Sequence, residues 1–128
     1  MQQAENEVTL AFIASFADAW NRHDLDALMA HMHQDCVFMA SVGTAVEGTK
    51  WRGMASVRTG YAALWSSFPD AHFECLGDFV CGDRGVSEWI FTGTRNSDGK
   101  KVRARGCDVF TFREGKILVK NSFRKQLP

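Results

Sequence analysis

The stretch that decides the fold is "KVRARGCDVFTFREGKILVKNSFRK", residues 101–125. Strand-forming residues fill both halves, and "REGK" at 113–116 reads as the turn between them. Alternation puts Ala104, Gly106, Asp108, Phe110 and Phe112 on one face of the first strand, with Arg103 and Arg105 on the other. An ionised carboxylate is costly to bury without a partner. Three readings of Asp108 therefore stand open. It titrates in a pocket, it pairs with a cation such as Lys120 to tie two strands together, or it faces water.

Upstream, "AHFECLGDFVC" at 71–81 and "RGVSEWIFTGTR" at 84–95 read as two further strands. "NSDGK" at 96–100 supplies the Asp98-Gly99 hairpin signal before the next one. Before residue 70 the period changes. Val8, Phe12, Phe16 and Trp20 recur every fourth residue, with Ile13 and Ala17 widening the stripe, which predicts a helix. Asp24 is placed to cap a second, shorter helix carrying Leu25, Leu28, Met29 and Met32. A short strand, "CVFMAS", is expected at about 36–41, followed by a loop through "VGTAVEGTKWRG". A third helix is expected from Met54 to Ser67, ended by Pro69, with Gly60 weakening it by about 1 kcal/mol relative to alanine. Three helices, one early strand and a closing meander predict an α+β domain with an antiparallel sheet spanning 1–128.

Composition narrows the function classes. Hydrophobic residues make up 45% and charged residues 23% of 128 residues, and 15 acids balance 15 bases to a net charge of +0. Nothing in that balance draws the chain to nucleic acid or an anionic membrane, so neither is expected as a partner. Lys100, Lys101, Arg103 and Arg105 form a basic hairpin read as protection of a strand edge. No apolar run approaches membrane-spanning length, and the polar start "MQQAENEVTL" lacks the pattern of a secretory signal. Cys36, Cys75, Cys81 and Cys107 form no Cys-x-x-Cys pair and read as reduced thiols of a cytoplasmic protein, with no metal site expected. His31 and His33 lie two apart and do not share a helix face.

The ordered set "FADAWNRHDLDALMAHMHQDCVF" (16–38), "WRGMASVR" (51–58), "FPDAHFE" (68–74), "WIFTGTR" (89–95) and "GCDVFTFREGKI" (106–117) resembles the nuclear transport factor 2-like superfamily. The branch it is most similar to is the SnoaL-like or ketosteroid-isomerase-like one. The resemblance implies a cone-shaped curved sheet wrapped around the long first helix, in a cystatin-like α+β barrel. It also implies a pocket inside the cone and a homodimer through the sheet's outer face.

Carried over residue by residue, the resemblance limits the chemistry. Phe16 stands where a ketosteroid isomerase has its oxyanion-donating tyrosine, and Ala40 where it has its proton-shuttling aspartate. Only the acidic residue matching Asp108 remains, so steroid isomerisation by that mechanism is not expected. The charged residues of limonene-epoxide-hydrolase-like enzymes map near Trp89, Phe91 and Ser122, and all are missing. SnoaL-type polyketide cyclases have an aspartate matching Asp108, while a histidine often seen in them corresponds to Arg95. The implied register turns Trp89, Phe91 and Arg95, and Lys120, Ser122 and Arg124, toward the interior with Asp108.

The expected site therefore has Asp108 as acid or base, Lys120 or Arg95 stabilising negative charge, and Tyr61 as a further donor. Phe16, Ala40, Trp51, Trp65, Trp89, Phe91, Phe110 and Ser122 are expected to line it. Its ligand would be a small hydrophobic metabolite bearing a carbonyl or ring, and any reaction a cofactor-free isomerisation, cyclisation or dehydration. A non-catalytic binding or dimeric interaction domain of the same fold is the alternative.

Overall fold

The computed structural model describes residues 7–126. Helix α1 runs Leu10–Asn21, and Thr9 caps it by accepting from the Phe12 amide at 3.1 Å. Val8, expected on the helical stripe, instead precedes the cap. Val8 and Ile13 are both buried in one cluster, the positions of a hydrophobic staple. Left-handed His23 (φ 55) breaks the chain away after α1. Helix α2 is Leu25–Ala30, with Asp24 as its cap at 3.0 Å from the Ala27 amide, as its sequence predicts.

Strand β1 spans Met32–Met39, which corrects two expectations. Met32 belongs to the strand and not to α2, and Ala40 and Ser41 lie beyond its end. The cause is tertiary. His31 accepts from the Ile117 amide at 2.9 Å and Met32 pairs with Ile117, so sheet pairing takes the chain out of the helix early. Strand β2, Lys50–Arg52, forms inside the expected loop and pairs antiparallel with β1. Three residues are too few to show a strand period. Helix α3 is Met54–Ser67, the span its sequence predicts. Strands β3 (His72–Cys81), β4 (Arg84–Thr94), β5 (Lys101–Arg113) and β6 (Lys116–Arg124) form the meander.

The six strands order β2-β1-β6-β5-β4-β3 in one curved, unclosed sheet. All neighbours are antiparallel except β1 and β6, which run parallel, a departure from the wholly antiparallel expectation. Bulges at Leu76 in β3 and at Leu118 in β6, opposite Thr111/Phe112, help curl the sheet. The helices fill the concave side, where Phe16, Trp20, Tyr61, Phe110, Phe112 and Ile117 belong to the main core. A second cluster of Phe68, Ala71, Trp89 and Phe91 lies toward the opening.

Two glycines are fixed by space. A Cβ on Gly60 would sit 2.8 Å from the Trp51 ring, so the residue that weakens α3 is what lets that ring lie against it. A Cβ on Gly106 would collide with the Trp89 ring and the Phe123 carbonyl, so β5 is bare where Trp89 crosses it. No helix among the described residues is long and apolar enough to cross a membrane.

Candidate functional site

Three strands bring the polar groups of the concave face together. Asp108 pairs in register with Ser87 of β4 and Ser122 of β6, and Phe110 with Lys120. Asp108, Ser122 and Lys120 are buried at 7%, 9% and 6% exposure. Ser122 Oγ donates to Asp108 Oδ1 at 2.6 Å, and Lys120 Nζ donates to Ser122 Oγ at 2.8 Å. Lys120 Nζ also lies 3.3 Å from Asp108 Oδ1, an ion pair. Trp89 Nε1 donates to the other oxygen, Oδ2, at 3.1 Å. Gly106 makes this last bond possible by leaving room for the indole.

The Lys120 ammonium lies among aromatic rings, 4.5 Å from the Phe38 centroid, 5.2 Å from Trp20 and 5.4 Å from Tyr61. Such faces attract a cation electrostatically, more strongly when water is excluded. Burial pulls the Lys120 pKa below the usual lysine value, and Asp108 pulls it back up. Ser87 Oγ and Trp20 Nε1 are buried without a hydrogen-bond partner among the described residues.

Two cavities meet at this group. A void of about 30 Å³ lies under α1, bounded by Ile13, Phe16, Asp108 and Phe110. A larger cavity of about 260 Å³ lies under α3 toward the opening. Its walls include Trp51, Phe68, Trp89 and Phe91, and Lys120 and Ser122 stand at its inner end. Asp108 does not line the larger cavity. Its oxygens are taken up by Trp89, Ser122 and Lys120, all three of which line that cavity. A broader groove of about 800 Å³ lies on the convex side beneath the 40–48 loop, bounded by Glu88, Arg105, Cys107 and Phe123. It holds no buried polar cluster.

The structure sorts the expected residues. Lys120, Ser122, Trp89, Phe91, Ala40 and Trp51 line the larger cavity. Phe16 and Phe110 face each other at 6.0 Å in the packed half and line only the small void. Tyr61 is fully buried, and its hydroxyl donates to Met32 Sδ at 3.4 Å, so it offers Lys120 a ring face and not a donor. Burial first, then Asp108 and Cys36, push its pKa well above the tyrosine range. Trp65 packs on Trp20 and stacks on His23 at 5.0 Å, outside the cavity wall. Arg95 does not reach Asp108. It pairs with Asp98 at 3.2 Å beyond the end of β4, because Thr94 is the last ladder residue.

Other candidates fall elsewhere. His33 bonds Glu114 at 2.8 Å, and His31 bonds Ser15 at 2.6 Å. No cluster suited to a metal occurs among the described residues, and all four cysteines are free. Glu47 pairs with Lys50 at 3.6 Å. Sequence reasoning missed Trp20 and Phe38 as neighbours of the ammonium, and Ser67 and Leu64 as cavity walls. Trp20 shares the α1 stripe with Phe16, a signal that was available. Phe38 is opposite Lys120 only through the parallel β1–β6 pairing.

Comparison with known proteins agrees with this architecture. The model of the SnoaL-like domain matches residues 13–119. No curated protein matches the chain significantly by sequence. A proposed polyketide cyclase from Xanthomonas campestris pv. campestris superposes with a TM-score of 0.78 at 18% identity, over 95% of this chain and 90% of its own. An NTF2-like protein of unknown function from Mesorhizobium loti gives 0.73 at 25% identity, over 98% and 92%. TerC, co-crystallized with polyporic acid, gives 0.77 at 16% identity, over 91% and 90%.

Proposed function

The chain belongs to the SnoaL-like domain family, and we propose that it binds a compact, apolar, carbonyl-bearing metabolite under α3 and transfers a proton there without a cofactor. The observation that carries this reading is one ammonium, Lys120, at the inner end of an otherwise mainly apolar cavity. An apolar cavity with a few convergent polar groups is the usual form of a small-molecule site. The volume, about 260 Å³, suits a small ring system. The polyporic acid of TerC and the proposed cyclase of the same fold support an organic ligand of this kind.

In this reading Lys120 donates to the ligand carbonyl. As the adjacent carbon loses its proton, charge grows on that oxygen and the ammonium neutralises it. The leaving proton passes to Ser122 Oγ as Ser122 passes its own to Asp108 Oδ1, along the 2.6 Å bond. Isomerisation, cyclisation and dehydration all use such an enolate-like step. Asp108 thus acts through Ser122 and Lys120. We further propose a cytoplasmic homodimer, supported by the free cysteines and by Phe79 and Phe123 on the outer face, 61% and 51% exposed.

The alternative is a carrier with no chemistry, favoured by the occupation of both Asp108 oxygens and by the inert Phe16 and Ala40. Acetylnaphthalene tests both. Calorimetry should show binding that the hydrocarbon ethylnaphthalene lacks, and Lys120→Met should abolish that preference. Proton NMR in deuterated water should show methyl hydrogens of the bound ketone exchanging faster than in buffer, and Asp108→Asn should slow the exchange. Binding without accelerated exchange selects the carrier; no preference for the ketone ends the reading.

A further inference from the structure

We propose that the ligand carries a fixed negative charge, and that Arg124 and Arg95 form an anion subsite at the cavity mouth. The inference rests on the cavity reading above and extends it to the opposite end.

Arg124 lies four residues beyond Lys120 on β6, about 13 Å along the strand. It lines the same cavity, with its guanidinium 5.2 Å from the Phe91 ring centroid. It forms no ion pair and no side-chain hydrogen bond among the described residues, whereas Arg95 pairs with Asp98. Beside the cavity, and joined to it through Ser67, Phe68 and Arg124, is a recess of about 400 Å³. Arg95, Ser66, Asn96 and Ser97 complete its wall, and no acidic side chain lines it. The cavity wall has no acidic side chain either.

Two guanidinium groups share this recess. Burial, and then repulsion from Arg95, lowers the Arg124 pKa. A bound anion removes that repulsion and satisfies guanidinium N–H groups in a geometry suited to carboxylate or phosphate. Serine hydroxyls and the Asn96 amide add neutral donors. The site thus has a cation at each end and aromatic walls between. That pattern fits a ring-bearing acid whose carbonyl end enters first and whose acidic group stays at the mouth.

The test compares naphthoate, naphthyl phosphate and neutral naphthamide by calorimetry, with acetylnaphthalene as the control for the cavity itself. Naphthoate should bind about tenfold more tightly than naphthamide, the lower end for a charge-assisted hydrogen bond. Arg124→Gln should erase that margin, Arg95→Gln should reduce it, and added salt should shrink it. A larger margin for the phosphate than for naphthoate assigns a phosphorylated ligand, and the reverse a carboxylate; either supports the subsite. Equal binding of naphthoate and naphthamide while acetylnaphthalene binds overturns the subsite alone. Loss of all four overturns the cavity reading with it. An unchanged melting curve for Arg124→Gln establishes that the variant is folded.

Discussion

The two ends of the concave face are built from the same kinds of residue and are filled differently. Under α1, Ile13, Phe16 and Phe110 close on the sheet and leave about 30 Å³. Under α3, Trp51, Phe68, Trp89 and Phe91 stand apart around about 260 Å³. The Asp108–Ser122–Lys120 group lies where the halves meet, with its carboxylate on the packed side and its ammonium on the open side. An aromatic lining therefore does not by itself mark a site. What marks the open half is that its rings face space and that an ammonium ends it.

The largest effect should separate the halves by stability. Phe110 is 1% exposed and packs against Phe16 and Phe112. Phe110→Ala should cost about 3–5 kcal/mol in urea denaturation, and Trp51→Ala, at the open end, clearly less. Equal losses would erase the distinction.

The boundary should respond next. Lys120→Met leaves the Asp108 carboxylate buried without its counter-charge, which costs about 3–5 kcal/mol for a typical buried pair. Ser122 and Trp89 remain as donors, so the lower end is expected. Adding Asp108→Leu should restore most of the loss. Strict additivity in this double-mutant cycle would mean that the two groups are not coupled.

Gly60→Ala inverts a general rule. In an exposed helix the change gains about 1 kcal/mol. Here the new methyl meets the root of the Trp51 ring at 2.8 Å, and overpacking of this kind costs about 1–3 kcal/mol. Thermal unfolding should show a net loss; a gain would mean that Trp51 moves freely into the cavity.

The smallest effect is confined to high pH. The folded state raises the Tyr61 pKa well above its ordinary 10.0. Above pH 10 the unfolded chain therefore holds fewer protons than the folded one, and stability falls as pH rises; below it the contribution is complete. Tyr61→Phe should lose stability less steeply than the parent above pH 10. Lys120 works in the opposite sense in its own range but is present in both proteins, so the difference isolates Tyr61. Parallel slopes would contradict the burial of its hydroxyl.

Much of this was legible in the sequence. Alternation in β5 placed Ala104, Asp108, Phe110 and Phe112 on one face, and all are buried. Helix α3 was bounded by Pro69 and its apolar spacing. The early end of α2 was not legible, because the pairing of Met32 with Ile117 depends on a strand 85 residues away. That same parallel pairing hid Phe38 as a neighbour of Lys120. Parity put Asp108 on one face with Phe110 and Phe112, and the implied register turned that face inward, but neither says anything about depth. Which half of the face it served depended on where α1 and α3 lie. Tyr61 had a hydroxyl that suggested chemistry, and only the position of Met32 shows where that hydroxyl is used.

The central claim is that a ligand meets Lys120 and not Asp108. A crystal structure with acetylnaphthalene bound tests it most directly. The account predicts the ketone oxygen within hydrogen-bond distance of Lys120 Nζ, with Ser122 and Trp89 still donating to Asp108. A ligand atom bonded directly to the Asp108 carboxylate, in place of either donor, would contradict it.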